Sequence, residues 1–125
     1  MKRVLIVEHD NLVRALIAEW LAEAGVRSVY PDATGGTPTN VDAVVVDVAS
    51  LQEAHAILSP WQRAYPGTRL VAASGRFAAC NMANDAMASR LGVTRVLAKP
   101  FARADLYRAL GLEEPQSSTQ DPNCR

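Results

Sequence analysis

Three things are scarce in this chain of 125 residues: unbalanced charge, long apolar runs and cysteine. Lys and Arg number 13 and Asp and Glu number 13, a formal net charge of zero with neutral histidine. No general field therefore draws the chain to nucleic acid or to an anionic membrane, and DNA binding would need a second domain, which is not expected here. Behind Met1, Lys2 and Arg3 the apolar stretch Val4 to Val7 stops at Glu8, too short for a signal-peptide core or a membrane span. Cys80 and Cys124 lie far apart, and Cys124 sits almost at the terminus. That spacing argues against a structural disulfide and for a reducing, cytoplasmic setting.

What is present is apolar content of 49%, enough for a globular core and incompatible with disorder throughout. Short continuous runs rich in Val, Leu and Ile alternate with helical patterns. This is the signature of strands buried on both faces of a parallel sheet, and so of the α/β class. The first helix is the clearest, with Leu12, Val13, Leu16, Ile17, Trp20 and Leu21 at helical spacing, a stripe read first of all as core, with exposure of Trp20 or Trp61 for a partner as the lesser reading. Asp10 or Asn11 can cap its start and Gly25 can stop it. A strand is expected near Val26 to Tyr30.

The connection Pro31 to Asn40, with two prolines and two glycines, reads as a loop or a single turn where a crossover helix would be usual. The next crossover, Leu51 to Tyr65, carries Ala54, Ile57, Leu58 and Trp61 at helical spacing, with Pro60 restricting it. Phe77 to Leu91, stopped by Gly92, and Ala102 to Leu110 are the last helix-sized elements. One domain over residues 1–112 is expected, followed by a disordered tail over 113–125 with almost nothing apolar to bury.

The chemistry gathers at the strand ends. Asp47 closes the run Val41 to Val46, and a carboxylate at the mouth of a buried strand is costly unless something there uses it. The other runs deliver Glu8, His9 and Asp10, then Ser74, then Lys99 and Pro100. In an open parallel sheet ligands sit outside the carboxyl ends of the strands. A carboxylate nucleophile can take a phosphoryl group when a divalent cation offsets its charge, an ammonium holds one oxygen and a hydroxyl donates to another. Asp47, Glu8, Lys99 and Ser74 suit these parts. The plainer readings are a strand-end turn former for Asp47, an exposed acid for Glu8 and ordinary turn chemistry for Ser74 before Gly75.

Taken in order, Val4-Leu5-Ile6-Val7-Glu8, Val45-Val46-Asp47, Ala73-Ser74-Gly75 and Ala98-Lys99-Pro100-Phe101 resemble the response-regulator receiver domain of two-component signalling, over about residues 2–110. The resemblance implies a flavodoxin-like, doubly wound, five-stranded parallel sheet in the order 2-1-3-4-5, here with the second helix reduced or missing. It implies that Asp47 accepts phosphate from a histidine kinase or histidine phosphotransfer protein with Mg2+ present, and that Glu8, Asp47 and the backbone carbonyl of Ala49 hold the cation. It further implies that Lys99 contacts the phosphoryl group or Asp47, that Ser74 follows the phosphate, and that the Lys99-Pro100 bond is cis. Output would pass to a downstream protein target. Enzymatic activity would be limited to self-phosphorylation from small donors and self-dephosphorylation. A homodimer across Arg95, Arg103, Asp105 and Arg108 is one further arrangement such domains adopt, with solvated surface charge as the plainer account.

The sequence departs from that pattern at four places. His9 stands where a second acid is common, and neutral imidazole is a poor ligand for Mg2+, so the cation is expected to bind weakly. Protonated, His9 could instead pair with Asp47 or Glu8. The loop Val48 to Glu53 lacks the usual Met-Pro and glycine, Val96 replaces a frequent aromatic, and the connection after Tyr30 is short. A stand-alone atypical receiver is therefore one expectation and an unphosphorylated pseudo-receiver, acting only as an interaction module, is the other. An aspartyl-nucleophile phosphohydrolase is a remote third, since Ala49 occupies the place of its general acid.

Overall fold

The computed structural model describes residues 1–31, 38–76 and 84–113. The runs rich in Val, Leu, Ile and Ala form five strands: β1 (Arg3–Val7), β2 (Arg27–Val29), β3 (Ala43–Asp47), β4 (Arg69–Ser74) and β5 (Arg95–Ala98). They make one sheet in the order β2-β1-β3-β4-β5, with every neighbouring pair parallel. Burial on both faces explains why these strands read as continuous apolar runs rather than as an alternation. Val4, Ile6, Val45, Val71 and Leu97 face one core, while Leu5, Val44, Val46, Leu70 and Val96 face the other.

Four helices among the described residues cover the two faces: α1 (Asn11–Glu23), α2 (Ala54–Ala64), α3 (Asn84–Leu91) and α4 (Arg103–Leu110). Helices α1 and α4 bury Ile17, Leu21, Leu106, Ala109 and Leu110 against the first face; α2 and α3 bury Ala54, Leu58, Met87, Ala88 and Leu91 against the second. Each of the larger of these side chains contributes about 1.5–3 kcal/mol relative to leaving it in water. Asp10, not Asn11, caps α1: its Oδ1 accepts from the N–H groups of Leu12 at 2.9 Å and Val13 at 3.2 Å. Gly25, at φ 76°, ends that helix in the left-handed region that favours glycine. Pro60 lies inside α2 without ending it.

One expectation about the core needs correcting. Leu12 is 79% and Leu16 39% exposed, so the apolar stripe of α1 is wider than the face it buries. These two residues stand one step, about 100°, around the helix from Val13 and Ile17. The sheet and α4 reach only the latter side. Strand β2 is shorter than the span Val26 to Tyr30 suggests. Between β2 and β3 no helix occurs among the described residues, and residues 32–37 of that connection lie outside them. Also outside are Phe77 to Ala83, the first part of the element expected to run to Leu91, and residues 114–125 of the expected tail.

At the other end of the sheet, Asp42 ties the chain start to β3. Its Oδ2 accepts from the backbone N–H of Lys2 at 2.7 Å and of Arg3 at 3.0 Å. Those two bonds stabilise the carboxylate and hold its pKa below the usual value. None of the described helices is long and apolar enough to cross a membrane.

Candidate functional site

Parallel register sets the strand ends side by side. Val7 pairs with Val46, Asp47 with Ala73, and Ser74 with Ala98. Glu8, Asp47, Ser74 and Lys99 consequently emerge along one edge of the sheet, from four adjacent strands. Lys99, leaving β5, reaches past β4 to both acids. Its Nζ donates to Oδ1 of Asp47 at 2.8 Å and to Oε1 of Glu8 at 2.7 Å.

This triad is largely withdrawn from water, with side-chain exposures of 3% for Glu8, 15% for Asp47 and 20% for Lys99. Burial alone would lower the lysine pKa. The hydrogen bonds to Asp47 and Glu8, and their charge, outweigh it and raise the pKa above the ordinary lysine value. The ammonium therefore stays charged at neutral pH. Two carboxylates around one ammonium leave one net negative charge in a site of low effective dielectric, where charge counts for more than in water.

Glu8 has both oxygens engaged, since Oε2 also accepts from the N–H of Asp10 at 3.3 Å. Asp10 itself is committed to capping α1, so its carboxylate does not stand in for a third acid. Asp47 keeps Oδ2 free of hydrogen bonds among the described residues. Ser74 is 1% exposed; its Oγ accepts from the N–H of Arg76 at 3.0 Å, and its carbonyl accepts from the N–H of Lys99 at 3.0 Å. The second bond pins the lysine backbone to the end of β4. The Lys99-Pro100 bond is cis.

Ala49 and His9 lie exposed beside this cluster. The pairing of a protonated His9 with Asp47 or Glu8 is not found: no ion pair or hydrogen bond of His9 occurs among the described residues, and Lys99 is the cation that meets each acid. His55 is a surface residue of α2. Of the charges considered for a dimer face, three pair within the chain, Arg103 with Glu23 at 2.6 Å and Arg108 with Asp105 at 3.4 Å.

Sequence reasoning missed the double role of Lys99. It also missed an apolar groove of about 270 Å3 beside the triad, lined by Val13, Leu16, Trp20 and the Lys99-Pro100-Phe101 segment. The signal available for the groove was the apolar width of the first helix.

The sheet order and the helices on both faces are those of a CheY-like, flavodoxin-like fold. Solved receiver structures align with nearly the whole chain. A receiver domain from Methylobacillus flagellatus is 26% identical, with 89% of this chain and 97% of that one covered and a TM-score of 0.65. One from Clostridium thermocellum is 17% identical over 89% and 92%, with a TM-score of 0.68. A receiver protein from Burkholderia phymatum is 20% identical over 92% and 99%, with a TM-score of 0.65. No family model matches the sequence, and no curated protein does. The chain thus has the receiver fold, reached at low sequence identity.

Proposed function

We propose that the chain is a signalling receiver that accepts a phosphoryl group on Asp47 from a phosphohistidine of a histidine kinase or phosphotransfer protein, and acts by binding another protein. The observation that carries this reading is the Lys99 ammonium held between Asp47 and Glu8 at the carboxyl edge of a receiver-type sheet. In the transfer, Asp47 Oδ2 would attack phosphorus. A P–O bond forms as the P–N bond to the donor imidazole breaks, and its electron pair returns to the imidazole nitrogen. Lys99 would then hold a phosphoryl oxygen, and Ser74, fixed beside it, could donate its hydroxyl proton to another.

Among the described residues no three His, Cys, Asp or Glu side chains gather as a metal cluster. The two acids that converge are nevertheless hard oxygen donors already bridged by one cationic atom, which fits a weakly held divalent ion. Glu8, Asp47 and the Ala49 carbonyl would hold Mg2+, which would neutralise phosphoryl charge. His9 adds nothing to such an ion in neutral form.

A second reading has its own observation. Lys99 already places its charge against one oxygen of each acid, and the residue after Glu8 is an exposed histidine. The same surface could therefore serve as an interaction module that is no longer phosphorylated. Incubation with Mg2+ and a small phosphodonor, followed by intact mass, separates the two. Addition of one phosphoryl group to the wild type and none to Asp47→Asn supports the first reading. No addition with any divalent metal or any histidine donor rejects it in favour of the second.

A further inference from the structure

Lys99 belongs to two environments at once. Its ammonium is held by Asp47 and Glu8, while the residue also lines the groove with Val13, Leu16, Ile17 and Trp20 of α1. Two residues later the Phe101 ring meets the Trp20 ring, with centroids 6.2 Å apart and planes inclined at 57°. The backbone of α1 is tied to α4 at this point, because the Trp20 carbonyl accepts from the hydroxyl of buried Tyr107. Since the Lys99 N–H is pinned to Ser74, a re-aimed head group finds its freedom in the stem and in the Pro100-Phe101 side. Phe101 meets Trp20 of α1, and Lys99 and Pro100 line the same groove as that helix.

We infer that Trp20 and Phe101 are positioning residues for Lys99, so that the charge at Asp47 and the packing around Trp20 are coupled. Val96 on β5 offers no aromatic ring to carry such a change, and it packs in the core on the opposite face of the sheet from Trp20. A change of charge at Asp47 alters what holds the ammonium, the stem follows, and the wall of the groove on α1 shifts with it. Linkage requires the reverse as well: whatever repacks Trp20 changes how firmly Lys99 holds the two acids. The use of this coupling as a signal rests on the phosphoacceptor reading, whereas the coupling itself does not.

The test uses the full chain carrying Trp61→Phe, which leaves Trp20 as the sole tryptophan of two. Emission maximum and acrylamide quenching are recorded for this background, for Asp47→Asn, for Lys99→Met and for the pair combined. Each is then repeated with Phe101→Leu and with Phe101→Tyr, and circular dichroism checks that every variant is folded. The coupling predicts that either single change shifts Trp20 emission, and that the combined variant shifts it no further than the larger single one. Phe101→Leu should remove more than half of the response, and Phe101→Tyr, which keeps the ring, should retain it. Unchanged Trp20 signals in Asp47→Asn and Lys99→Met overturn the inference, as does an equal response with Phe101→Leu. Intact mass after exposure to a small phosphodonor judges the phosphoacceptor reading separately. Failure to add phosphate rejects that reading alone, because the Trp20 shifts in Asp47→Asn and Lys99→Met need no phosphate.

Discussion

Replacing Lys99 with Met keeps the stem and removes the charge that joins the two acids. With Nζ at 2.7 Å from one carboxylate oxygen and 2.8 Å from the other, those oxygens are at most about 5.5 Å apart. At an effective dielectric of about 20, two unit charges at that separation repel by ~3 kcal/mol. The partial exposure of Asp47 and of the lysine itself discounts this, and the pair must also give up its charge-assisted hydrogen bonds. A loss of about 2–3 kcal/mol in unfolding free energy at pH 7 is the outcome, at or below the low end of the roughly 3–5 kcal/mol for breaking a fully buried ion pair, as the partial exposure requires. Urea denaturation of wild type, Lys99→Met, Asp47→Asn and the double variant measures it. Lys99→Met should be the least stable of the four, and adding Asp47→Asn should recover at least half of its loss, because the repelling partner is gone. The sign of the pH dependence follows from the raised pKa of Lys99: its contribution is fully present below the unfolded value of about 10.4 and is lost as pH rises through the folded one. The wild type should therefore lose stability at high pH by a step absent from Lys99→Met. Equal stability of Lys99→Met and wild type at pH 7, or no recovery in the double variant, would refute the reasoning.

Three further outcomes are expected. Asp42 has a lowered pKa, so its contribution is present above the unfolded value of about 3.9 and lost as pH falls through the folded one; Asp42→Asn should flatten the acid limb of a stability curve. Asp10→Ala should cost about 1 kcal/mol in chemical denaturation, the usual value of a helix N-cap. His9→Asp should tighten Mg2+ binding about tenfold, or ~1.4 kcal/mol, by supplying a hard oxygen donor; calorimetry showing no gain would remove His9 as the weak point of the site.

Much of the fold was legible because the physics behind it is local. Strands buried on both faces must be continuously apolar, and the runs ending at Val7, Asp47, Ser74 and Ala98 announced themselves on that ground. The parallel rule then set Glu8, Asp47, Ser74 and Lys99 at one edge without any knowledge of contacts. Leu12 and Leu16 were misplaced in the core because periodicity marks an apolar face without saying how wide its partner is. The bond from Lys99 to Glu8 spans 91 positions, and no local pattern distinguishes an ammonium that meets one acid from one that meets two. The pairing of Arg103 with Glu23 was hidden for the same reason.

The position of Lys99 in the chain has a bearing on how the protein is made. Glu8 and Asp47 leave the ribosome well before their shared counter-ion has been translated. With β1 and β3 paired as in the full chain, a product that stops before Lys99 would carry both acids at one sheet edge without the ammonium between them. Removing the chain from Lys99 onward would therefore take away, along with α4, the cation that joins the ends of β1 and β3.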